Sequence, residues 1–191
     1  MVAVVERVVE LFDSTCMKQF ESMNCDIFPL LHEEQSLSSR GELDTVTTVI
    51  QCASEALTIR LLVQASKGFL IKTMPLIGGQ RIELRSFQED WCLEIANRFL
   101  GRLKNKLLSH GCQLQMGLPE MCSDVQQEIQ RHQLDVCARR VFQIANGPVS
   151  GADVELVECV LFIDLKDKSL QIDDYEDEDE DWFDESELEH L

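Results

Sequence analysis

The strongest constraint on the fold is a long segment of helical periodicity between residues 86 and 109. Ser86 resembles a helix N-cap, and Glu89 three residues later completes the pattern of a capping box. Gly111 follows the last turn, where a helix commonly ends. The apolar residues at core-facing spacing are Leu93, Ala96, Leu100, Leu103 and Leu107. We therefore expect one amphipathic helix that buries this stripe.

The opposite face of the same helix carries an acid and an amide. Glu94 and Asn97 are three residues apart, about one helical turn, so their side chains stand next to each other. Asp90 precedes Glu94 by four residues and Gly101 follows Asn97 by four, which extends the stripe in both directions. Because Asn is a poor helix former, its place in mid-helix indicates a reason other than helix propensity.

The other long periodicities predict a mixed fold. A first helix is expected over residues 2–23. Its apolar positions at helical spacing are Val5, Val8, Val9, Phe12, Cys16 and Phe20. Residues rich in β-branched or alternating apolar side chains predict strands at 45–53, 56–65, 135–145 and 154–164. Hairpin strands with two long helices predict an α+β domain, an antiparallel sheet covered by helices.

The connecting segments give weaker signals. Pro29 and the polar run after it predict a loop. Ser66 either caps a short helix or precedes a turn into a third strand. Residues 112–116 alternate as a strand, and residues 123–131 suit a short helix. Asn146 and the glycine after it predict a turn between the last two strands.

Charge divides the chain into two parts. The net charge is −18, but residues 173–191 hold 12 of the 35 acids and no Lys or Arg. A block of like charge repels itself, so we predict a disordered acidic tail after a folded domain at residues 1–172. That domain keeps 23 acids against 17 bases, a net charge of −6. Neither part has a basic patch, which argues against nucleic-acid binding.

The cysteines and the N-terminus indicate the compartment. Eight cysteines are spread evenly among apolar neighbours without a C-x-x-C pair, and the four histidines fall at no ligand spacing. This pattern favours buried reduced thiols over a disulfide scaffold or a zinc site. Charges at positions 6, 7, 10 and 13 interrupt the apolar N-terminus, and no apolar run reaches about eighteen residues. We expect a cytoplasmic protein without a signal peptide or membrane span.

The central helix resembles the phosphatase helix of the CheC/CheX/FliY family of bacterial chemotaxis phosphatases. The family's signature is an acidic residue or Ser, then E-x-x-N on a helix, then a Pro some way downstream. Asp90, Glu94, Asn97 and Pro119 occupy those places, although the Asn-to-Pro gap is one residue off the family's spacing. The string E-I-A-N-R-F-L-G-R-L-K-N-K-L also has the family's Asn-x-x-x-Gly. The resemblance is closest to the short, single-site CheX type and extends more weakly over most of residues 1–172.

The resemblance implies a fold, a substrate and a partner. It favours a CheX-like sheet with two long helices, a short helix after Ser66, and a homodimer formed through sheet edges. The implied substrate is the aspartyl phosphate of a response-regulator receiver domain in chemotaxis or related two-component signalling. Mg²⁺ is then expected on the receiver, and this chain is expected to bind no cofactor or metal.

The resemblance also implies roles for single residues. Asn97 would orient the attacking water, because a carboxamide both accepts and donates hydrogen bonds without changing protonation state. Glu94 would form a charge-assisted pair with a lysine of the receiver. Asp90 and Pro119 complete the docking motif. Geometry, and not the resemblance, suggests a role for Gly101: it has no side chain, so a partner surface could approach the helix closely at that point.

Two readings from other classes stay open on the sequence. The same fold can serve as a non-catalytic docking or dimerisation module for receivers or other signalling proteins. The chain can also be an acidic adaptor that works through the aromatic residues of its tail. Catalysis is favoured over docking alone because a pure docking face has no need of a carboxamide at position 97.

Overall fold

The structure is a computed structural model that describes residues 2–21, 23, 27–30, 44–76, 84–122, 136–144 and 155–172. These ranges contain three helices and seven strands. The helices are α1 (Val2–Glu21), α2 (Lys67–Thr73) and α3 (Arg85–Ser109). The strands are β1 (Ile27–Leu30), β2 (Thr45–Ala53), β3 (Leu57–Ser66), β4 (Gln115–Met116), β5 (Glu120–Met121), β6 (Val136–Ile144) and β7 (Leu156–Leu165).

The seven strands form a single antiparallel sheet. Its order is β1-β6-β7-β3-β2-β4, and β5 also pairs with β2. The β2–β3 hairpin runs from Thr45 opposite Ser66 to Ala53 opposite Thr58. The next strand along the sheet, β7, pairs with β3 from Leu165 opposite Leu57. The four long strands predicted from β-branched and alternating residues are confirmed, with ends within two residues of those expected.

The two long helices share one face of the sheet and bury a common core. α3 contacts β2 and β3, α1 contacts β6 and β7, and the helices contact each other. Phe12 of α1 packs on Phe99 of α3 with ring centroids 5.4 Å apart, and Phe20 packs on Phe142 of β6 at 4.8 Å. The strands contribute every second residue, as the pleat requires. On β3 these are Leu57, Ile59, Leu61, Val63 and Ala65. The predicted α+β fold is confirmed.

The buried face of α1 differs slightly from the predicted one. Four of the six expected positions are buried: Val8, Phe12, Cys16 and Phe20. Val5 and Val9 are half-buried, whereas Val4 and Leu11 are buried in their place. The reason is that α1 packs against both the sheet and α3, which moves the centre of its buried face around the helix.

The loop predicted from Pro29 onward is wrong at Pro29 itself, and the polar run at residues 32–41 lies outside the described residues. Pro29 lies within β1 and stands opposite Phe142 of β6. β1 is the outermost strand on this side of the described sheet, and it pairs with β6 alone. A proline fits such a strand because the side facing away from the sheet needs no N–H donor.

Ser66 joins three elements, and its predicted role as a helix cap is confirmed. Its hydroxyl accepts a hydrogen bond from the Phe69 N–H (3.3 Å) at the start of α2. The same oxygen accepts from the Leu156 N–H (3.1 Å) at the start of β7. The alternative of a third strand after Ser66 is therefore wrong.

The strand predicted at residues 112–116 is shorter in the structure. Only Gln115 and Met116 pair with β2, opposite Ala53 and Cys52. The predicted helix at 123–131, the turn at Asn146 and the acidic tail lie outside the described residues. Within the described ranges, no helix is long and apolar enough to cross a membrane.

Candidate functional site

The central helix α3 is anchored to the sheet by its apolar side. Ile95, Phe99 and Leu103 are fully buried. The thiol of Cys92 lies 3.8 Å from the carbonyl oxygen of Val46 on β2. The helix occupies 85–109 against the 86–109 expected, so its existence and length are confirmed.

The buried stripe of α3 is wider than the predicted one. Ala96, Leu100, Leu103 and Leu107 are buried as expected, but Leu93 is only half-buried. The buried residues that the pattern missed are Gln88, Trp91, Cys92, Ile95 and Phe99. Phe99 packs on α1, the Trp91 side chain contacts α2 and the Cys92 thiol lies against β2, so contacts with three elements widen the buried stripe.

The capping box predicted at the start of α3 is wrong. The N-cap residue is Leu84, whose side chain cannot cap, and Ser86 lies inside the first turn. Glu89 binds the Nε of Arg85 at 2.8 Å, and Arg85 also contacts Asp44 at 3.3 Å. These carboxylates raise the pKa of the Arg85 guanidinium, Glu89 most of all.

The outward stripe of α3 holds the predicted site residues. Asp90 is exposed, while Glu94 and Asn97 are half-buried and one turn apart. The side chain of Glu94 is 41% exposed, so its carboxylate is open to a partner. Within the described part of the chain, the Asn97 carboxamide makes no hydrogen bond. The stripe therefore presents an acid and an uncommitted amide side by side.

Gly101 continues this stripe one turn after Asn97. A Cβ atom built on Gly101 would meet no heavy atom within 4 Å. The fold itself therefore does not require a glycine here, although glycine destabilises a helix interior by about 1 kcal/mol relative to alanine. The surface above this turn of the helix is open.

Arg98 contacts the site, and the sequence analysis missed it. Its Nε lies 2.5 Å from Oε1 of Glu94, and its guanidinium carbon lies 5.4 Å from the centre of the Trp91 ring system. The indole N–H of Trp91 donates to the Thr73 hydroxyl of α2 at 2.9 Å. A helix places residues four apart next to each other, so the Glu94–Arg98 spacing was a usable signal.

The flank of α3 next to α1 is tied down by two cations. Arg102 donates to the carbonyl oxygen of Lys18 at 3.3 Å, and Lys106 contacts the Ser14 hydroxyl at 2.9 Å. Both partners belong to α1. These contacts, with the aromatic packing below them, hold the helix as a fixed platform for the outward stripe.

Pro119 lies in the segment between β4 and β5, at the sheet edge that α3 contacts. The segment is fastened to β2 by the Gly117 N–H, which donates to the Gln51 carbonyl at 2.8 Å. The Thr48 hydroxyl donates to the Glu120 carbonyl at 2.9 Å. Leu118, just before the proline, is 86% exposed. The structure thus places the proline on the strand segment beside the helix and not on the helix itself.

The site has no cysteine nucleophile. The seven described cysteines are free thiols, and five of them are buried. Cys92 is fully buried beneath the stripe, and burial raises the pKa of its thiol well above the usual value. A protonated thiol in the core is neither a nucleophile nor a metal ligand. Within the described ranges, no three potential ligands come together to hold a metal ion.

The described groups of this stripe can position a reactant through hydrogen bonds and ion pairs. A carboxamide orients a water molecule, and a carboxylate pairs with a cation. The stripe can therefore hold a water molecule and a cation next to each other.

Comparison with solved structures shows that the fold is similar to that of CheX and CheC-like proteins. The chain is similar to the chemotaxis protein CheX from Vibrio vulnificus, with a TM-score of 0.59 and 14% identity over 82% of this chain and 96% of that one. A chain of the CheX–CheY–BeF3–Mg²⁺ complex from Borrelia burgdorferi matches with a TM-score of 0.54 and 11% identity. That match covers 81% of this chain and 96% of the other.

A CheC-like superfamily protein from Shewanella matches with a TM-score of 0.52 and 14% identity, over 81% of this chain and 96% of that one. No family model and no curated protein matches the sequence. At such low identities the likeness concerns the fold. It confirms the predicted CheX-like architecture, and it leaves the roles of Glu94 and Asn97 as predictions.

Proposed function

We propose that this protein is a phosphatase that accelerates hydrolysis of the aspartyl phosphate of a response-regulator receiver domain. The observation that carries the proposal is the pair formed by Glu94 and Asn97 on the open side of α3, a helix fixed on a CheX-like fold. One of the similar structures is a complex of CheX with CheY, which supports a receiver as the partner.

In this proposal Asn97 acts on the attacking water. Its Oδ1 accepts a hydrogen bond from the water and its Nδ2 donates one, which fixes the water in line with the bond to be broken. A P–O bond forms to the water oxygen while the P–O bond to the aspartate breaks. Inorganic phosphate and the free carboxylate are released. Mg²⁺ on the receiver neutralises phosphoryl charge.

Glu94 fixes the register of docking. Its half-exposed carboxylate accepts a charge-assisted hydrogen bond from a lysine of the receiver. The register matters because a displacement of about 1 Å in a positioning contact costs on the order of a hundredfold in rate. Gly101 supports the same arrangement, since the open space above it admits the partner close to the helix.

The test is the decay of a phosphorylated receiver from the same cell, with Mg²⁺, in the presence of wild type and Asn97→Ala. Losing one preorganised catalytic contact costs roughly a hundredfold or more in rate. We expect Asn97→Ala to bind the receiver normally but to lose the acceleration. Asn105→Ala is the matched control, because it makes the same change two turns further along α3 at an exposed position. If both variants keep full activity, Asn97 is not the water-orienting residue.

A docking module without catalysis is the alternative. It predicts that the wild-type chain binds receivers and leaves the decay rate unchanged. Met116, Leu118 and Met121 around Pro119 are all exposed, and this group of apolar side chains favours the alternative because it can serve contact but not chemistry. Binding and decay measured on the same samples separate the two functions.

A homodimer in the cytoplasm is part of the proposal. In the described sheet, β1 forms one edge, while β4 and β5 lie along the other. Sedimentation of the purified chain over a range of concentrations tests the oligomeric state. A monomer at all concentrations would remove the dimer from the proposal without affecting the phosphatase role.

A further inference from the structure

The carboxylate of Glu94 already has a cation as its neighbour before any partner arrives. Arg98 contacts one of its two oxygens, Oε1, at 2.5 Å through Nε. The guanidinium is held over Trp91, whose indole N–H is bound to Thr73. Contacts of this kind to an aromatic face restrict a guanidinium beyond what an ion pair alone would do.

The other cations of this part of α3 behave differently. Arg102 and Lys106 turn toward α1, where they contact the Lys18 carbonyl and the Ser14 hydroxyl. They join two helices of the same fold. Arg98 instead pairs with the residue that the proposed function assigns to the partner, on the half-exposed side of the helix.

We infer that Arg98 is a positioning residue that competes with the partner's cation for Glu94 and thereby weakens docking. The inference rests on the proposed function. In the free protein the charge of Glu94 is largely balanced by Arg98, so an incoming ammonium gains less from the carboxylate than it would from an unpaired one. An ammonium that binds the carboxylate beside Arg98 is repelled by the like charge of the guanidinium. An ammonium that contacts both oxygens has to displace Arg98.

The geometry also bears on the chemistry of that cation. Arg98 contacts Oε1, so Oε2 is the oxygen that a second cation can reach without crowding Arg98. A lysine ammonium is a compact point charge that binds a single oxygen, whereas a guanidinium fork prefers two. Arg98 therefore selects a partner that presents a lysine at this position.

The test compares Arg98→Met with wild type in binding a receiver activated with beryllofluoride and Mg²⁺, and in phosphate release. Methionine retains an unbranched apolar chain that packs on Trp91. We expect the Kd and KM to fall by about twofold to fivefold, the scale of one exposed ion pair. We expect kcat to stay unchanged, because Asn97 is intact.

Two variants make the result specific. Arg102→Met removes the same charge one turn further on, where the side chain contacts α1, and should leave Kd within about twofold of wild type. Arg98→Lys keeps the charge and should behave like wild type. In a Glu94→Gln background, Arg98→Met should have no effect on Kd, since the competition acts through the carboxylate. Thermal unfolding checks that each variant is folded.

A second readout leaves Arg98 in place. The NMR signal of the Arg98 Nε–H should shift when the activated receiver is added, toward its position in Glu94→Gln. Equal or weaker binding by Arg98→Met, or the same gain in the Glu94→Gln background, overturns the inference while the phosphatase proposal stands. If the wild-type chain binds no receiver at all, the proposed function fails and this inference fails with it.

Discussion

Gly68 of α2 and Gly101 of the outward stripe of α3 are both glycines within helices, but the space around their Cα atoms differs. A Cβ on Gly68 of α2 would lie 3.0 Å from Cγ of Glu155. Glu155 is buried at the start of β7, and its carboxylate pairs with Lys72. The side chain therefore cannot move away easily, and the fold itself accounts for the glycine at position 68.

The glycine of α3 has no such explanation inside the molecule. A Cβ on Gly101 would meet no heavy atom within 4 Å, and yet the helix accepts the cost of a glycine there. The neighbouring Asn97 is likewise a weak helix former with no hydrogen bond inside the described part of the chain. Packing against Glu155 accounts for the glycine in α2. On the outward stripe of α3, we attribute the residues to something that binds from outside.

The substitution with the largest expected effect is Asn97→Ala, which tests whether the outward stripe serves the fold or a partner. Asn97→Ala should lower the rate of receiver dephosphorylation roughly a hundredfold or more. The same change should raise the free energy of unfolding by a few tenths of a kcal/mol, because alanine is the better helix former. Chemical denaturation measures the second quantity on the same preparation. A variant that is less stable than wild type would mean that Asn97 serves the fold.

Gly101→Ala should also separate stability from docking. We expect the free energy of unfolding to rise by about 0.5–1 kcal/mol, since the added methyl meets no atom of the described residues within 4 Å. Receiver binding should weaken by about 1–2 kcal/mol, the cost of overfilling a close contact. Titration of activated receiver measures the second effect.

The control for Gly101→Ala is Asn105→Ala, one turn further along α3 and exposed. It raises helix propensity without adding volume, so it should stabilise the chain and leave docking unchanged. If Gly101→Ala binds as tightly as wild type, no partner approaches the helix at this point, and the contrast between the two glycines loses its functional meaning.

Gly68→Ala should give the opposite sign in stability. The new methyl has to push Glu155 aside against its ion pair with Lys72, and we expect a net loss of about 1 kcal/mol in the free energy of unfolding. Receiver binding should not change. In a Glu155→Ala background the same substitution should become neutral or stabilising. A loss that persists in that background would exclude Glu155 as the cause.

The elements that could be predicted from sequence are those fixed by local pattern. β2, β3, β6 and β7 carry the residue types and alternation of strands, and α3 carries about four turns of regular apolar spacing from Leu93 to Leu107. The cap at Ser66 also followed from local chemistry. The likeness to solved CheX and CheC-like structures confirmed the fold that the motif implied.

Most of the wrong predictions concern residues whose position depends on contacts with an element distant in the sequence. Pro29 lies in a strand because β1 is at an edge, and no local signal distinguishes an edge strand from a loop. Phe99 is buried because it packs on Phe12 of α1, and Trp91 donates a hydrogen bond to Thr73 of α2. The capping box failed for a local reason: Leu84, and not Ser86, precedes the first turn of α3, and Glu89 pairs with Arg85. The stripe of Asp90, Glu94, Asn97 and Gly101 was predictable since it needs only the helix. The contact between the Arg98 guanidinium and the Trp91 ring was harder to predict, because Trp91 is also hydrogen-bonded to Thr73 of α2.

The smallest expected effect comes from the acidic tail at residues 173–191, which lies outside the described residues. Ending the chain at Ile172 removes a net charge of −12. A receiver's active site is acidic, so the tail either repels it or competes for its basic surface, and both effects weaken docking. We expect the shortened chain to bind the receiver about twofold to fivefold more tightly at low ionic strength. The difference should disappear near 1 M salt, where the Debye length is about 3 Å. Equal Kd values for the two chains at every ionic strength would mean that the tail takes no electrostatic part in docking.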